Sequence, residues 1–204
     1  MQFAFTEEQE LLRREARDAL GNGGWTREDV ADSELGFLDR AVLYEEGGRA
    51  NVGESLFDDS RPKEEQLAML ALEAVGIGKA VLDMAVEYAK QRVQFGKPIG
   101  TYQAVAHPLA DTYVETELAR SLAYWAAWCV AEGDDETEVA TAAAKSYCAD
   151  AAVAACERSI QVHGGIGFTW EHVLHRYYKR AQWIDAFGGH AAKQREVVAA
   201  HLLD

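Results

Sequence analysis

Proline and strand-like patterns are scarce in this sequence. Only three prolines occur among 204 residues, and no segment shows the alternation of apolar and polar residues that marks a half-buried β-strand. Alanine-rich segments instead repeat apolar side chains at every third or fourth position. Because that spacing places the apolar side chains on one face of a helix, the sequence predicts a chain that is almost entirely helical.

Basic charge is also scarce. The 20 Lys and Arg residues are outnumbered by 34 Asp and Glu residues, which gives a formal net charge of −14 and a pI of about 4.8. A protein that binds nucleic acid needs a basic face to meet the phosphate backbone. The composition therefore argues against a nucleic-acid partner.

Long apolar runs are missing, since none reaches the roughly 18 residues that a membrane-spanning helix needs. The opening segment Met1-Gln-Phe-Ala-Phe-Thr-Glu-Glu also lacks the basic and apolar regions of a signal peptide. The sequence thus predicts a cytoplasmic protein with no membrane partner.

No metal-ligand spacing is present among the cysteines and histidines. Cys129, Cys148 and Cys156 lie in apolar helical segments and are predicted to be buried thiols. The histidines crowd the C-terminal part without a Glu-x-x-His pair on facing helices, which rejects a di-iron bundle. The aromatic residues there are interpreted as packing and capping groups rather than a ligand cage. These histidines and aromatics are His163, His172, His175, His190, Trp170, Tyr177, Tyr178 and Trp183.

Start and stop signals divide the chain into helices. Thr6, with Gln9 three positions on, forms a capping box, and Gly21-Asn-Gly-Gly24 is predicted to be a hinge or linker. Thr169 is predicted to cap a shorter helix, which Gly188-Gly189 separates from the last one. The predicted helices cover residues 6–20, 35–49, 63–91, 102–131, 137–163 and 169–187 and a final segment that ends near residue 203, with a loop over residues 51–62.

The length and composition fit one domain, or one domain with a small appendage. The 204 residues are 49% hydrophobic, which is enough for a real core. Long helices joined by short turns give an antiparallel arrangement. We therefore predict an all-α, up-down four-helix-type bundle over residues 61–204, preceded by a reduced N-terminal helical segment over residues 1–60.

Two glycine-containing motifs stand at the ends of predicted helices. Arg92-Val-Gln-Phe-Gly-Lys-Pro-Ile-Gly100 follows one long apolar-periodic segment, and Gln161-Val-His-Gly-Gly-Ile-Gly-Phe168 follows another. Backbone N–H groups exposed at such turns can face a ligand. The second motif does not follow a strand, which excludes a dinucleotide-binding fold of the Rossmann kind. Taken alone, each motif is better explained as a helix cap.

The combination of segments resembles a known family. Several segments match, in order and spacing, the C-terminal helical domain of the acyl-CoA dehydrogenases, and two earlier segments resemble helices of that family's N-terminal domain. The family's middle β-barrel domain, which covers the flavin ring, should fall between about residues 51 and 61, where this chain has only a short loop. The matching segments are residues 88–103, 107–111, 161–168 and 177–182 in the bundle, and 3–12 and 36–49 before it.

The resemblance implies a shared FAD site. In the family, the FAD of one subunit reaches a neighbouring subunit, whose R-x-x-F-G arginine and phenylalanine and whose Q-x-x-G-G segment contact its diphosphate and adenosine end. The matching positions are Arg92, Phe95, Gln161, Gly164 and Gly165. A guanidinium offers two parallel donors to a phosphate, and glycine permits close approach of the backbone. The implied cofactor is thus FAD, shared with a partner subunit.

The resemblance does not supply a catalytic base. Gly188 stands where most family members carry the glutamate that removes the proton α to the thioester carbonyl, and glycine accepts no proton. Some members carry the base on the first long helix of this domain, at a position that aligns near Gln66; Glu64 and Glu65 are close by. Glu73 lies beside an apolar face, where burial would raise its pKa. It is either a base or, as we favour, a structural carboxylate.

Three functions were weighed on this basis. The sequence of the second motif resembles that of the actinobacterial branch of the family, which acts on steroid and other bulky CoA thioesters. Some enzymes of that branch pair two unlike subunits. The preferred interpretation is a reduced partner subunit that completes the FAD site of a full-length dehydrogenase. The alternatives are a helical scaffold that binds no flavin and an independent homodimeric flavoenzyme.

Overall fold

We describe the chain from a computed structural model that covers residues 5–20, 26–31 and 34–203. Within these ranges almost every residue is helical, and the one sheet is a two-stranded hairpin. No helix there has the length and hydropathy needed to cross a bilayer. The elements are α1 (Glu7–Leu20), α2 (Arg27–Ala31), α3 (Phe37–Ala50), α4 (Gly53–Leu56), α5 (Lys63–Gln91), β1 (Val93–Gln94), β2 (Lys97–Pro98), α6 (Gln103–Glu132), α7 (Thr137–His163), α8 (Leu174–Ala186) and α9 (Ala191–Leu203).

The predicted all-α bundle is confirmed. Helices α5, α6 and α7 run up, down and up, and α5 and α7 make the most extensive helix–helix contact in the described ranges. The predicted capping box at the start of α1 is also present. The N–H of Gln9 donates to the Thr6 hydroxyl, and the N–H of Thr6 donates to the Gln9 side chain, both at 3.2 Å. This is the reciprocal capping box that the sequence predicted.

Three local predictions were wrong or incomplete. The predicted loop over residues 51–62 contains helix α4, and the short helix α2 was missed. Helix α8 begins at Leu174 rather than at Thr169, because residues Gly164–Phe168 form a 3-10 turn and the Thr169 hydroxyl donates back to Ile166 at 2.9 Å. That hydrogen bond uses the group that would have capped a helix. The predicted hinge Gly21-Asn-Gly-Gly24 lies outside the described residues.

Glycines bring α3 and α5 into close contact. A side chain at Gly48 would overlap the backbone carbonyl of Glu73, and one at Gly76 would overlap the backbone carbonyl of Glu45. Both glycines are buried within their helices. Glycine in a helix interior lowers the stability of the helix by roughly 0.5–1 kcal/mol relative to alanine. At these two positions that loss comes with a shorter distance between α3 and α5.

A buried charge network fastens α1 and α6 to α3. Glu45 accepts hydrogen bonds from the Tyr124 hydroxyl at 2.6 Å and the Arg120 guanidinium at 3.0 Å. Arg17 of α1 donates to both carboxylate oxygens of Glu46, at 3.0 and 2.8 Å. Burial raises the pKa of Glu45, but Arg120, the Tyr124 hydroxyl and Arg13 outweigh burial and hold the pKa below its ordinary value. Glu45 is therefore ionised, and its charge depends on partners from two other helices.

The cysteines are buried and unpaired, as predicted. Burial raises the pKa of Cys129 to about 11 and that of Cys156 to about 12, and it also raises the pKa of Cys148. The thiolate is the reactive form of cysteine. These thiols therefore act as small apolar side chains in the core.

We expect Gly76→Ala to lower the free energy of unfolding by about 3 kcal/mol, because the added methyl group overlaps a carbonyl of the facing helix and α3 must move away. Gly165→Ala is the matched control, since a methyl group at that turn meets no atom within 4 Å; we expect its effect to stay within about 0.5 kcal/mol. Urea unfolding followed by circular dichroism measures both. Equal stability of the two variants would contradict close packing at the α3–α5 contact.

Candidate functional site

The ends of α5 and α7 lie side by side. Both helices run in the same direction, so their C-termini meet at one end of the bundle. The rings of Tyr88 and His163 stack there with centroids 4.5 Å apart, and the Ser159 hydroxyl donates to the carbonyl of Val81 at 3.0 Å. The two motifs singled out in the sequence follow directly after this stack.

The first motif is a tight hairpin after α5. The N–H of Arg92 donates to the Tyr88 carbonyl at 2.8 Å, and the Arg92 carbonyl accepts from Ile99 at 2.8 Å, which closes the base of the hairpin. Phe95 and Gly96 form the turn with φ angles of 50° and 81°. Positive φ at both central residues is the geometry of the common two-residue hairpin turn. It leaves the Arg92 side chain exposed and the Phe95 side chain 92% exposed.

The second motif ends α7. Gly164 caps the helix with φ 63° and ψ −137°, and its N–H points back to the carbonyls of Gln161 and Ile160. A residue with a side chain is strained in that conformation. Gln161 and Gly165 are exposed beside it, and the space around Gly165 is open. This end of the bundle therefore presents a cation, an amide side chain, accessible backbone and an aromatic ring.

A histidine cluster, which sequence reasoning weighed only as metal ligands, supports the turn. His163 is buried and lies 2.8 Å through Nδ1 from the Ser159 carbonyl, so Nδ1 carries the proton. His172 contacts its ring at 4.6 Å and accepts from the N–H of Leu174 at 3.3 Å. Burial, with His163 and His175 nearby, lowers the pKa of His172. In the described ranges no cluster of three or more His, Cys, Asp or Glu is placed to hold a metal.

The aromatic residues of this region divide into two groups. Tyr177 is buried and donates to the Arg49 carbonyl at 2.7 Å, as a packing residue should. Trp170 is instead 75% exposed, and the Lys179 ammonium and the His175 ring lie against it. Phe168 is 73% exposed. The interpretation of Trp170 as a packing residue was therefore wrong.

The position expected for a catalytic base is a solvent-exposed turn that carries no acidic side chain. Gly188 has φ 69°, a conformation that disfavours any side chain. The neighbouring ring of Phe187 packs against Trp183 at 4.9 Å, and both rings contact Phe57, at 5.1 and 5.7 Å. Phe57 belongs to the short segment between α4 and α5. That segment thus packs against the C-terminal end of α8.

Glu73 is 3% exposed and is held by Arg180 of α8, whose Nε and Nη2 donate to its two carboxylate oxygens at 2.6 and 2.8 Å. Burial raises the pKa of Glu73, and the Arg180 guanidinium opposes that shift. Because both oxygens are occupied, the geometry favours the structural interpretation of this carboxylate. Glu64 and Glu65 lie in the first turn of α5 and are half-buried.

Residues 64–203 match the family described as acyl-CoA dehydrogenase, C-terminal domain. This match covers well over half of the chain. The chain therefore belongs to that family.

Relatives with established names support the assignment. The chain is 44% identical over 149 residues to acyl-CoA dehydrogenase FadE34 of Mycobacterium tuberculosis, covering 71% of this chain and 21% of that protein. It is 44% identical over 113 residues to acyl-CoA dehydrogenase IpdE2 of the same organism, covering 55% of this chain and 34% of the relative. The chain thus spans about a fifth to a third of the length of these relatives.

Solved structures extend the likeness to the fold. Butyryl-CoA dehydrogenase from Megasphaera elsdenii is 36% identical, with a TM-score of 0.66 over 69% of this chain and 37% of that one. The FAD complex of PigA aligns across 99% of both chains with a TM-score of 0.86, at 16% identity. At that identity the second likeness shows the fold alone, and it includes the N-terminal helices as well as the bundle.

We expect Glu73→Leu to lower the free energy of unfolding by about 3–5 kcal/mol, because it leaves the Arg180 guanidinium buried without a partner. The double variant Glu73→Leu, Arg180→Met should recover most of that loss, since it removes both charges. Glu87→Leu, which breaks the exposed pair with Lys90, should cost less than about 1 kcal/mol. Denaturant unfolding of the parent chain and the three variants measures these changes, and a double variant no more stable than Glu73→Leu would contradict a buried pair.

Proposed function

We propose that this chain is the reduced partner subunit of a hetero-oligomeric, FAD-dependent acyl-CoA dehydrogenase. Its role is to complete the FAD site of a full-length subunit that desaturates a CoA thioester between the α and β carbons. The observation that carries the proposal is a contrast within one chain. The Arg92 and Gly164 turns are adjacent and open, whereas the Gly188 turn carries no side chain that could act as a base.

The residues present fit one end of FAD. The exposed Arg92 guanidinium can donate two parallel hydrogen bonds to a diphosphate, and the Gly164–Gly165 turn lets a ligand approach the backbone closely. Phe95 offers an exposed ring to the adenosine end. When bound, FAD supplies the hydride acceptor of the desaturation. This chain's share is to bind and orient the end of the cofactor that is remote from the chemistry.

The proposed substrate is a CoA thioester with a bulky acyl group. The sequence of residues 163–172 supports a bulky, steroid-type acyl-CoA as the substrate. The two mycobacterial relatives are named acyl-CoA dehydrogenases. The proton acceptor is assigned to the full-length subunit, because Gly188 carries no side chain and Glu73 is occupied by Arg180. A cytoplasmic location is part of the same proposal.

Exposed apolar side chains support an oligomer. Tyr113, Val114 and Leu118 of α6 are each more than half exposed. Contiguous exposed apolar groups of this kind mark interaction surfaces. They equally fit the second candidate function, a helical scaffold that assembles with a dehydrogenase but binds no flavin. Flavin content distinguishes the two candidates.

We expect the chain alone to purify colourless and inactive, because half of a flavin site has too few contacts to hold FAD tightly. Co-expression with a full-length acyl-CoA dehydrogenase subunit, sought among the products of the neighbouring genes, should give a yellow complex that desaturates an acyl-CoA. Flavin absorbance, light scattering and turnover measure this outcome. Isolated chain that carries one FAD per subunit and is reduced by an acyl-CoA would refute the partner role, and a colourless complex would favour the scaffold.

In the complex, Arg92→Ala should weaken FAD binding about ten- to a hundredfold, because a charge-assisted hydrogen bond contributes roughly 1.5–3 kcal/mol. Gln161→Ala should weaken binding less, since a neutral hydrogen bond contributes roughly 0.5–1.5 kcal/mol. Arg14→Ala, which removes an exposed arginine of α1, is the charge-matched control. Flavin retained after gel filtration measures the effect. Unchanged occupancy in Arg92→Ala with assembly intact would show that FAD does not reach this turn.

A further inference from the structure

A second cleft lies between α4 and α8. Its volume is about 320 Å³, at the lower end of the range for small-molecule sites. One wall carries Asn51 and Glu54, and the other is the face of α8 with Arg176, Lys179, Arg180 and Trp183. None of these residues belongs to the proposed FAD half-site.

The spacing of the four α8 residues explains the wall. Positions 176, 179, 180 and 183 follow each other at intervals of three, one and three, so their side chains share one helix face. Cβ atoms three apart on a helix lie about 5–6 Å from each other. Two cations at that separation can contact one phosphate group or the two ends of a diphosphate.

The three cations of this wall differ in whether a carboxylate neutralises them. Arg180 is neutralised by Glu73 and lies over the Trp183 ring at 4.1 Å, so it forms a fixed floor. Arg176 and Lys179 are exposed, and within the described ranges neither has a carboxylate at ion-pair distance. Among the described residues, Glu54 is the one acidic side chain that lines the cleft. An excess of positive charge is concentrated here although the whole chain carries −14.

The cleft is also remote from the Arg92 turn. Glu73, the partner of Arg180, precedes Arg92 by 19 positions along α5 and its cap (92 − 73). At 1.5 Å per residue the separation along the helix is roughly 28 Å. One phosphate group cannot bridge the two places.

We propose that the α4–α8 cleft is a binding site for a phosphorylated small molecule, with Arg176 and Lys179 as the groups that bind its diphosphate or phosphate. Arg180, fixed by Glu73 and Trp183, shapes the floor of the site. Glu54 repels the anion and limits its affinity. The site is independent of the proposed dehydrogenase role, because no residue of the flavin half-site takes part.

Titration of the full chain with inorganic pyrophosphate, ADP and coenzyme A by isothermal calorimetry tests this site. Pyrophosphate should bind at one site per chain, and its affinity should fall as salt is added, because the contacts are between charges. Binding of ADP or coenzyme A at least tenfold more tightly than pyrophosphate would assign the ligand to a nucleotide. Equal affinities would assign recognition to the diphosphate itself.

Matched variants make the test specific. Arg176→Gln and Lys179→Gln should each weaken binding about tenfold, Lys179→Arg should retain it, and Glu54→Gln should strengthen it. Lys90→Gln removes the same charge at the far end of α5 and should leave binding unchanged. No heat from any of the three probes, or the same affinity in Arg176→Gln, Lys179→Gln and Lys90→Gln, would overturn the proposal. Circular dichroism of each variant shows that the fold is intact.

Discussion

The close contact between α3 and α5 determines which acidic side chains are buried and therefore need a cationic partner. Because Gly48 and Gly76 have no side chains, the two helices approach until backbone meets backbone. Residues next to this contact are sealed from water, and they include the acidic Glu45 and Glu73. A buried carboxylate without partners is unfavourable. Each one therefore requires a cation from another helix, and these cations tie α1, α6 and α8 to the α3–α5 pair.

Glu45 of α3 and Glu73 of α5 bind cations from different helices. Glu45 accepts hydrogen bonds from Arg120 and Tyr124 of α6 and from Arg13 of α1. The N-terminal helices and the bundle therefore share one hydrogen-bond network. Glu73 collects Arg180 and thereby fixes the rotation of α8. A fixed α8 places Phe187 and Trp183 against Phe57. The aromatic cluster beside Gly188 is thus a consequence of the same packing that stabilises the fold.

The long helices and their caps could be predicted because their signals are local. Thr137–His163 was located to the residue, and Thr6 with Gln9 defined the start of α1. The start of α8 could not be predicted, since Thr169 satisfies its hydroxyl on Ile166 within a 3-10 turn. The burial of Glu45 could not be predicted either. It depends on a glycine of another helix and on Arg120, which lies 75 residues away in sequence, and no periodic pattern records such a contact.

Phe95 stands at the tip of the hairpin that follows α5. The residue adopts φ 50°, which is uncommon for a residue with a side chain, and it exposes 92% of its surface. Both features are unfavourable for the isolated chain, because strained backbone costs of order 1–3 kcal/mol and an exposed aromatic ring gains nothing from burial. The hairpin of Arg92 and Ile99 imposes this geometry without covering the ring. A partner or ligand that covers Phe95 gains the free energy of burying this ring, whereas the backbone geometry stays as the hairpin sets it.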